Sequence, residues 1–217
     1  MFSQAEENYL KSIYALQELH KSISTNLLAK KTNTKASSVT DMLKKLALKN
    51  LVVYKKYQGV YLTKAGKKIA LKVVRKHRLW ECFLVEKLDF KWDEVHEIAE
   101  QLEHVKSEEL VDRLEVFLNF PKFDPHGDPI PNKKGIIVLE KTINLSKMKI
   151  GEQGIMDGLI DSSDDFLKYL NKKKLALKDT IKIIEIESFD ASIHIEINGE
   201  QRLVISKKVA ENLNIKM

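Results

Sequence analysis

The sequence predicts a mainly α-helical protein with a β wing, ending in a small β-barrel. Three observations lead there. Residues 1–63 read as helix, short helix, tight turn, longer helix and hairpin; residues 63–119 hold strongly apolar helices; and after a connector containing all four prolines, Pro121, Pro125, Pro129 and Pro131, the chain turns to short β-rich runs.

In chain order, Tyr9, Leu10, Ile13, Leu16 and Leu19 recur at helical period within residues 4–20. Ser24 suits an N-cap for a helix over 25–31, Thr32-Asn33-Thr34 suits a tight turn, and a second helix over about 35–49 uses Val39, Met42, Leu43, Leu46 and Leu48. That is the helix-turn-helix order, whose second helix presents its N-terminal residues to the DNA major groove. Here these are Lys35, Ala36, Ser37, Ser38, Thr40 and Asp41, with Lys44 one turn on. Residues 51–63 read as a hairpin after that helix, a wing, whose Lys55 and Lys56 suit the DNA backbone and Tyr57 the minor groove.

Thr63 suits the cap of a long helix to about Leu88, followed by helices over about 92–105 and, from Ser107, to near Asn119. Apolar helices outside the DNA-reading unit need a partner surface. A two-fold dimer supplies it and sets two recognition helices about one DNA turn apart. In the last third, strands are expected at 154–160, 180–188, 192–197 and 202–205, and helices at 164–172 and 206–212.

Charge separates the same parts. Residues 1–80 carry 17 Lys and Arg against 4 Asp and Glu, the other 137 carry 20 against 27, and the whole chain is +6. A basic first third on an acidic remainder points to double-stranded DNA as partner of the first. Cys82 is the single cysteine, which excludes an intrachain disulfide and fits a reducing compartment. Met1 to Asn8 is polar and acidic, and no run of about eighteen apolar residues is present, so a cytoplasmic protein without membrane association is expected.

The chemistry concentrates between His96 and His104. His96, Glu100, Glu103 and His104 stand at steps of three and four residues, and His77 and Glu81 lie one turn apart some twenty residues earlier. Imidazoles mixed with carboxylates suit a divalent first-row cation, and burying them without one would cost several kcal/mol. His20 and His194 have no neighbours in sequence, Cys82 sits among Phe83, Leu84 and Val85 as a core residue, and Trp80 and Trp92 read as packing residues. A metallohydrolase is the rival reading: His96-Glu97-x-x-Glu100 starts like a zincin helix but has Glu where the second His belongs. A winged-helix regulator of a small organic ligand is the other.

The order of winged helix, Arg75-Lys76-His77-Arg78-Leu79-x-Glu81, His96-x-x-x-Glu100-x-x-Glu103-His104 and Phe120-Pro121-Lys122-x-Asp124-Pro125-His126-Gly127-x-x-Ile130-Pro131 resembles the diphtheria-toxin-repressor family of metal-dependent transcriptional repressors. The resemblance implies a homodimer with a winged helix-turn-helix (1–73), a helical metal-binding and dimerisation domain (74–120), a Pro-rich connector (121–137) and an SH3-like, FeoA-like domain (138–217). It also implies a repressor of metal-uptake genes that is activated for operator binding by metal, with no small-molecule substrate and no enzymatic activity. The primary metal site would use His77, Glu100, Glu103 and His104, completed from the first helix at Asn8, where family members typically carry Asp or Met; Glu7 is a possible substitute. The iron branch has Cys where Glu100 stands, and a hard carboxylate there fits Mn(II) or Fe(II), as in the manganese branch. An ancillary site would draw on Glu81, His96, Asp124 and His126, with Asp161 or the neighbouring Asp164 and Asp165 completing it, although Ser162 stands where the iron branch has Glu.

Overall fold

A computed structural model describes residues 2–20, 22–55 and 58–217. Lys56 and Tyr57, expected at the wing tip, lie outside the described residues.

The first helix, α1 (Gln4–Leu19), opens with a capping box in which Ser3 accepts from the Glu6 backbone N–H and Glu6 accepts from that of Ser3. The Glu6 carboxylate is buried beneath Lys49 and Lys45, at 2.6 and 3.2 Å. Burial acts to raise its pKa, but the two ammonium groups and the Ser3 N–H hold it down at about 2. Ser24 caps α2 (Thr25–Lys31), and α3 (Ala36–Leu48) follows after a turn in which Asn33 takes a left-handed conformation. Strands β1 (Val52–Lys55) and β2 (Gly59–Leu62) pair antiparallel from Val52↔Leu62 to Lys55↔Gly59. Leu10, Ile13, Ile23, Leu28, Val39, Leu43, Leu46 and Val60 form the core beneath them.

Helix α4 (Lys64–Leu88) is 25 residues long, about 37 Å at 1.5 Å per residue. Thr63 caps it, and Gly66 lets its first turn meet the wing: a Cβ there would lie 2.0 Å from the Leu51 carbonyl oxygen. Its first half packs Ala70, Leu71 and Val74 on the winged-helix core; its second half packs Leu79 and Cys82 against Val111 and Leu114 of α6 (Glu108–Phe117), its C-cap Leu118, and Ile130. One rigid rod therefore joins the DNA-reading unit to the donor residues.

Helix α5 (His96–Leu102) is shorter than the 92–105 expected. At its start, residues 92–94 form a turn, because Trp92 packs on the C-terminal core and donates its indole N–H to Asn171 Oδ1 at 2.7 Å, and Lys91 N donates to Glu94. At its end Glu103 is the C-cap and His104 lies in the following turn, whose Val105 carbonyl accepts from Lys76 Nζ. The four spaced donors are thus shared between a helix, its cap and a turn.

The C-terminal part is a six-stranded antiparallel sheet in the order β3-β8-β4-β5-β6-β7, formed by Ile143–Asn144 (β3), Gln153–Leu159 (β4), Thr180–Ile186 (β5), Ile193–Ile197 (β6), Gln201–Ile205 (β7) and Leu213–Lys216 (β8). Irregularities between Met156 and Gly158 and between Ile183 and Glu185 bend it. Helices α7 (Asp164–Lys173) and α8 (Lys207–Ala210) complete the unit around a core that includes Met156, Leu167, Leu170, Ile183, Ile195, Leu213 and Ile215. The sequence reading missed β3 and β8. The second sits inside the sheet, and its signal, Leu213 and Ile215 alternating with Asn214 and Lys216, was on view.

Candidate metal centre

Helix α4 supplies His77 and Glu81 from one face, α5 supplies His96 and Glu100, the turn after it supplies Glu103 and His104, and α1 supplies Glu7 and Lys11. Glu103 is fully buried at 0% side-chain exposure. The His77 imidazole links two groups of donors: Nδ1 donates to Glu103 Oε2 at 2.6 Å, and Nε2 faces Glu81 Oε1 at 3.0 Å and His96 Nδ1 at 3.2 Å. Burial acts to lower the His77 pKa, but the Glu103 and Glu81 carboxylates override it and raise it to about 8. For Glu103, burial is likewise outweighed by His77 and Lys11, which lower its pKa.

His104 Nδ1 donates to Glu7 Oε2 at 2.6 Å, which leaves Nε2 facing Glu103 Oε1 at 3.7 Å. Glu103 Oε1 is buried without a hydrogen-bond partner. A buried carboxylate oxygen and an imidazole nitrogen, turned to each other beyond hydrogen-bond distance, fit a shared cation. Glu7 then stands behind the imidazole, fixing its tautomer, as carboxylates do behind metal-bound histidines.

A second group meets the first at Glu81. Its Oε2 lies 3.8 Å from His126 Nδ1, and His126 Nδ1 lies 3.9 Å from Asp124 Oδ1. Glu81, Asp124 and His126 are all buried, and their donor atoms lie within 4.8 Å of one another, as do those of His77, Glu81 and His96. The connector is fixed there by Arg78, which donates to the Pro129 carbonyl at 2.6 Å and pairs with Asp124 at 3.4 Å, and by Asp124 Oδ1, which accepts from the His126 and Asp128 N–H groups. Gly127 at φ +85° lets this loop rest on β4, since a Cβ would lie 2.4 Å from the Asp157 carbonyl oxygen. Burial, with Asp128 and Glu81 nearby, raises Asp124 to about 7. Burial opposes but does not prevent the rise of His126 to about 9, caused by Glu81 and Asp124; against that same burial, His126, His77 and His96 hold Glu81 well below its ordinary value.

Other expected donors lie elsewhere. Asn8 is exposed, and it is Glu7, one residue earlier, that reaches His104. Asp161 is exposed, accepts from Ser163 N at 2.9 Å, and belongs to none of the clustered donor groups among the described residues. Lys11 was not singled out in sequence, although it shares a helix face with Glu7 at i,i+4; its Nζ lies 2.7 Å from Glu103 Oε2 and 3.3 Å from Glu100 Oε1.

Residues 1–60 match the iron-dependent repressor N-terminal DNA-binding domain and residues 63–132 the iron-dependent repressor metal-binding and dimerisation domain. The chain belongs to the iron-dependent repressor family. Residues 143–217 match the FeoA domain. Over 117 residues this family member is 41% identical to an HTH-type transcriptional regulator of Methanocaldococcus jannaschii, covering 54% of this chain and 94% of that one. Over 125 residues it is 34% identical to the iron-dependent repressor IdeR of Mycobacterium tuberculosis, covering 58% of this chain and 54% of that one. A manganese-dependent transcriptional repressor solved in complex with manganese superposes with a TM-score of 0.87 at 32% identity, over 97% of this chain and 98% of that one. The expected architecture of winged helix, helical middle domain and small C-terminal sheet is that of the family. No helix among the described residues is long and apolar enough to cross a membrane.

Proposed function

We propose that this repressor is a homodimer that binds operator DNA when Mn(II) or Fe(II) occupies the donor cluster between α1, α4 and α5, and that it represses genes of metal uptake. The observation that carries the reading is the buried, partnerless Glu103 Oε1 facing His104 Nε2. The manganese-bound relative supports the choice of metal, as does a donor set of carboxylates and imidazoles without a thiolate.

A divalent cation supplies, when bound, the positive charge that buried carboxylates and imidazoles lack. The primary set is His77, Glu100, Glu103 and His104, with Glu7 orienting His104 and Asn8 outside the set. Glu81, His96, Asp124 and His126 form the ancillary set, and we leave Asp161 out of it. Glu7 brings α1 to the cluster, and α1 packs against both α2 and α4 in the winged-helix core. Fixing α1 against α5 therefore fixes the tilt of the DNA-reading unit on α4. Metal and DNA favour one conformer, so each tightens the binding of the other by the same factor.

For DNA we assign Lys35, Ala36, Ser37, Ser38, Asp41 and Lys44 on α3, all exposed, and Lys55 on the wing. Thr40 is half-buried and donates its hydroxyl to the Ala36 carbonyl, so it supports the helix more than it reads bases. For the dimer we assign the exposed apolar stripe of Leu110, Val116, Phe117 and Phe120, with Leu88 at the end of α4. The division at 1–73, 74–120, 121–137 and 138–217 is part of the same proposal, the first boundary lying within α4. A His104→Ala chain should keep weak, salt-sensitive DNA binding and lose its increase with Mn(II), measured by anisotropy of a labelled duplex. An unchanged increase would refute the assignment. Mn(II)- or Zn(II)-dependent peptide or ester hydrolysis would favour the metallohydrolase instead.

A further inference from the structure

Among the described residues, Lys11 is a feature of the cluster that a cation site does not call for. Its side chain is 17% exposed, and its ammonium lies 2.7 Å from Glu103 Oε2 and 3.3 Å from Glu100 Oε1, on the inner side of α1. Glu103 has no exposure to solvent, so this ion pair is screened little by water. The same Glu103 oxygen accepts from His77. Of the two oxygens of Glu103, one is therefore held by Lys11 and His77, and the other is the partnerless atom facing His104.

Charge then decides how many ions fit. With the imidazoles neutral, as metal binding requires, and Glu81 counted with the ancillary set, Glu7, Glu100 and Glu103 bring three negative charges to the contact between α1 and α5, and Lys11 returns one positive charge. The remaining two match one divalent cation. A second divalent cation would leave a surplus of positive charge beside an ammonium that already occupies the Glu100–Glu103 edge, and like charges a few Å apart in a partly buried site repel strongly.

Resting on the metal-dependent reading, we infer that Lys11 is a tethered monovalent cation that limits the His77, Glu100, Glu103 and His104 cluster to a single divalent ion. It also ties Glu100 and Glu103 to α1 before any metal arrives. The chain thus carries part of the link between α1 and α5 in its own covalent structure, and metal adds to that link instead of creating all of it.

The test is a count of Mn(II) per full-length chain, by electron paramagnetic resonance of free Mn(II) during titration, for wild type, Lys11→Glu and Lys11→Met. Lys11→Glu adds a fourth carboxylate and should take up one more Mn(II) per chain than wild type. Lys11→Met should tighten binding at the cluster by roughly tenfold or more, because a neighbouring positive charge is gone, and should let a second, weaker Mn(II) enter that wild type excludes. Metal-free Lys11→Met should also melt at a lower temperature than metal-free wild type, since Glu103 is left buried without its ammonium. An unchanged count in Lys11→Glu, or weaker Mn(II) binding in Lys11→Met, would overturn the inference. A wild-type chain that takes up no Mn(II) at all would refute the metal-dependent reading beneath it.

Discussion

His77 and His126 show how far the donor groups are from indifferent packing. Both imidazoles lie between carboxylates, which raise their pKa values to about 8 and about 9 in spite of burial. At neutral pH the metal-free chain therefore keeps protons on these imidazoles, and if they hold a divalent ion, as proposed, its binding must release them. Mn(II) affinity should rise steadily from pH 7 to pH 9, with proton release detectable by calorimetry in buffers of different ionisation enthalpy; affinity that does not change over that range would contradict these assignments. The same protons act the opposite way on the empty fold. A histidine raised above its ordinary 6.5 contributes stability that is full below that value and is lost as pH passes 8 to 9, so these two groups make the metal-free protein less stable at pH 9 than at pH 6. Individual donors were legible in sequence because His and Glu recur at helical steps. The role of Glu7 behind His104, and of Lys11 across from Glu100, was not, because both arise from a contact between elements some ninety residues apart.

At the scale of elements, the connector and α5 depend on neighbours that local sequence does not reveal. Periodicity carries a helix through residues 92–105, but Trp92 is drawn into the C-terminal core and Glu103 and His104 turn inward to the cluster, so only His96–Leu102 is helical. By contrast α1, α2, α3 and α4 begin within a residue of where periodicity places them, and the caps expected at Ser24 and Thr63 are in place. There the capping residue and the apolar period agree, so the local signal suffices. The proline-rich connector is ordered by Arg78 and by the close approach of Gly127 to β4. Gly127→Ala adds both a strained backbone conformation and a Cβ within 2.4 Å of a carbonyl. It should cost about 1–3 kcal/mol and release the C-terminal domain from His126, seen as a lower melting temperature and faster proteolysis between residues 121 and 142. Unaltered proteolysis would mean that the connector is held by other contacts.

Over the whole molecule, charge and rigidity divide the work. On the proposed reading, the basic first third faces DNA through the exposed lysines on α3 and the wing, and the single rod of α4 would carry a change at the donor cluster to it. Lys44→Ala and Lys55→Ala should each weaken binding about equally across duplex sequences and lower the slope of log affinity against log salt by roughly one. A sequence-selective loss would place those side chains on base edges instead. Fold class and domain order were legible at this scale because each part has its own texture: basic helix-turn-helix, apolar helices, prolines, short strands. The interior strand β8 and the junction of the two donor groups at Glu81 were not, since both are made only when distant segments meet.

On the proposed reading, metal at the α1, α4 and α5 cluster sets DNA affinity. The most direct test is anaerobic titration of the full-length chain, with Mn(II) and with Fe(II) separately, against a duplex selected from a random pool in the presence of Mn(II). Coupling of about 1–3 kcal/mol, roughly five- to 150-fold tighter binding at saturating metal, is the expected result. The gain should be lost on chelation. Equal affinity with metal and with chelator, at the same salt, would contradict the account.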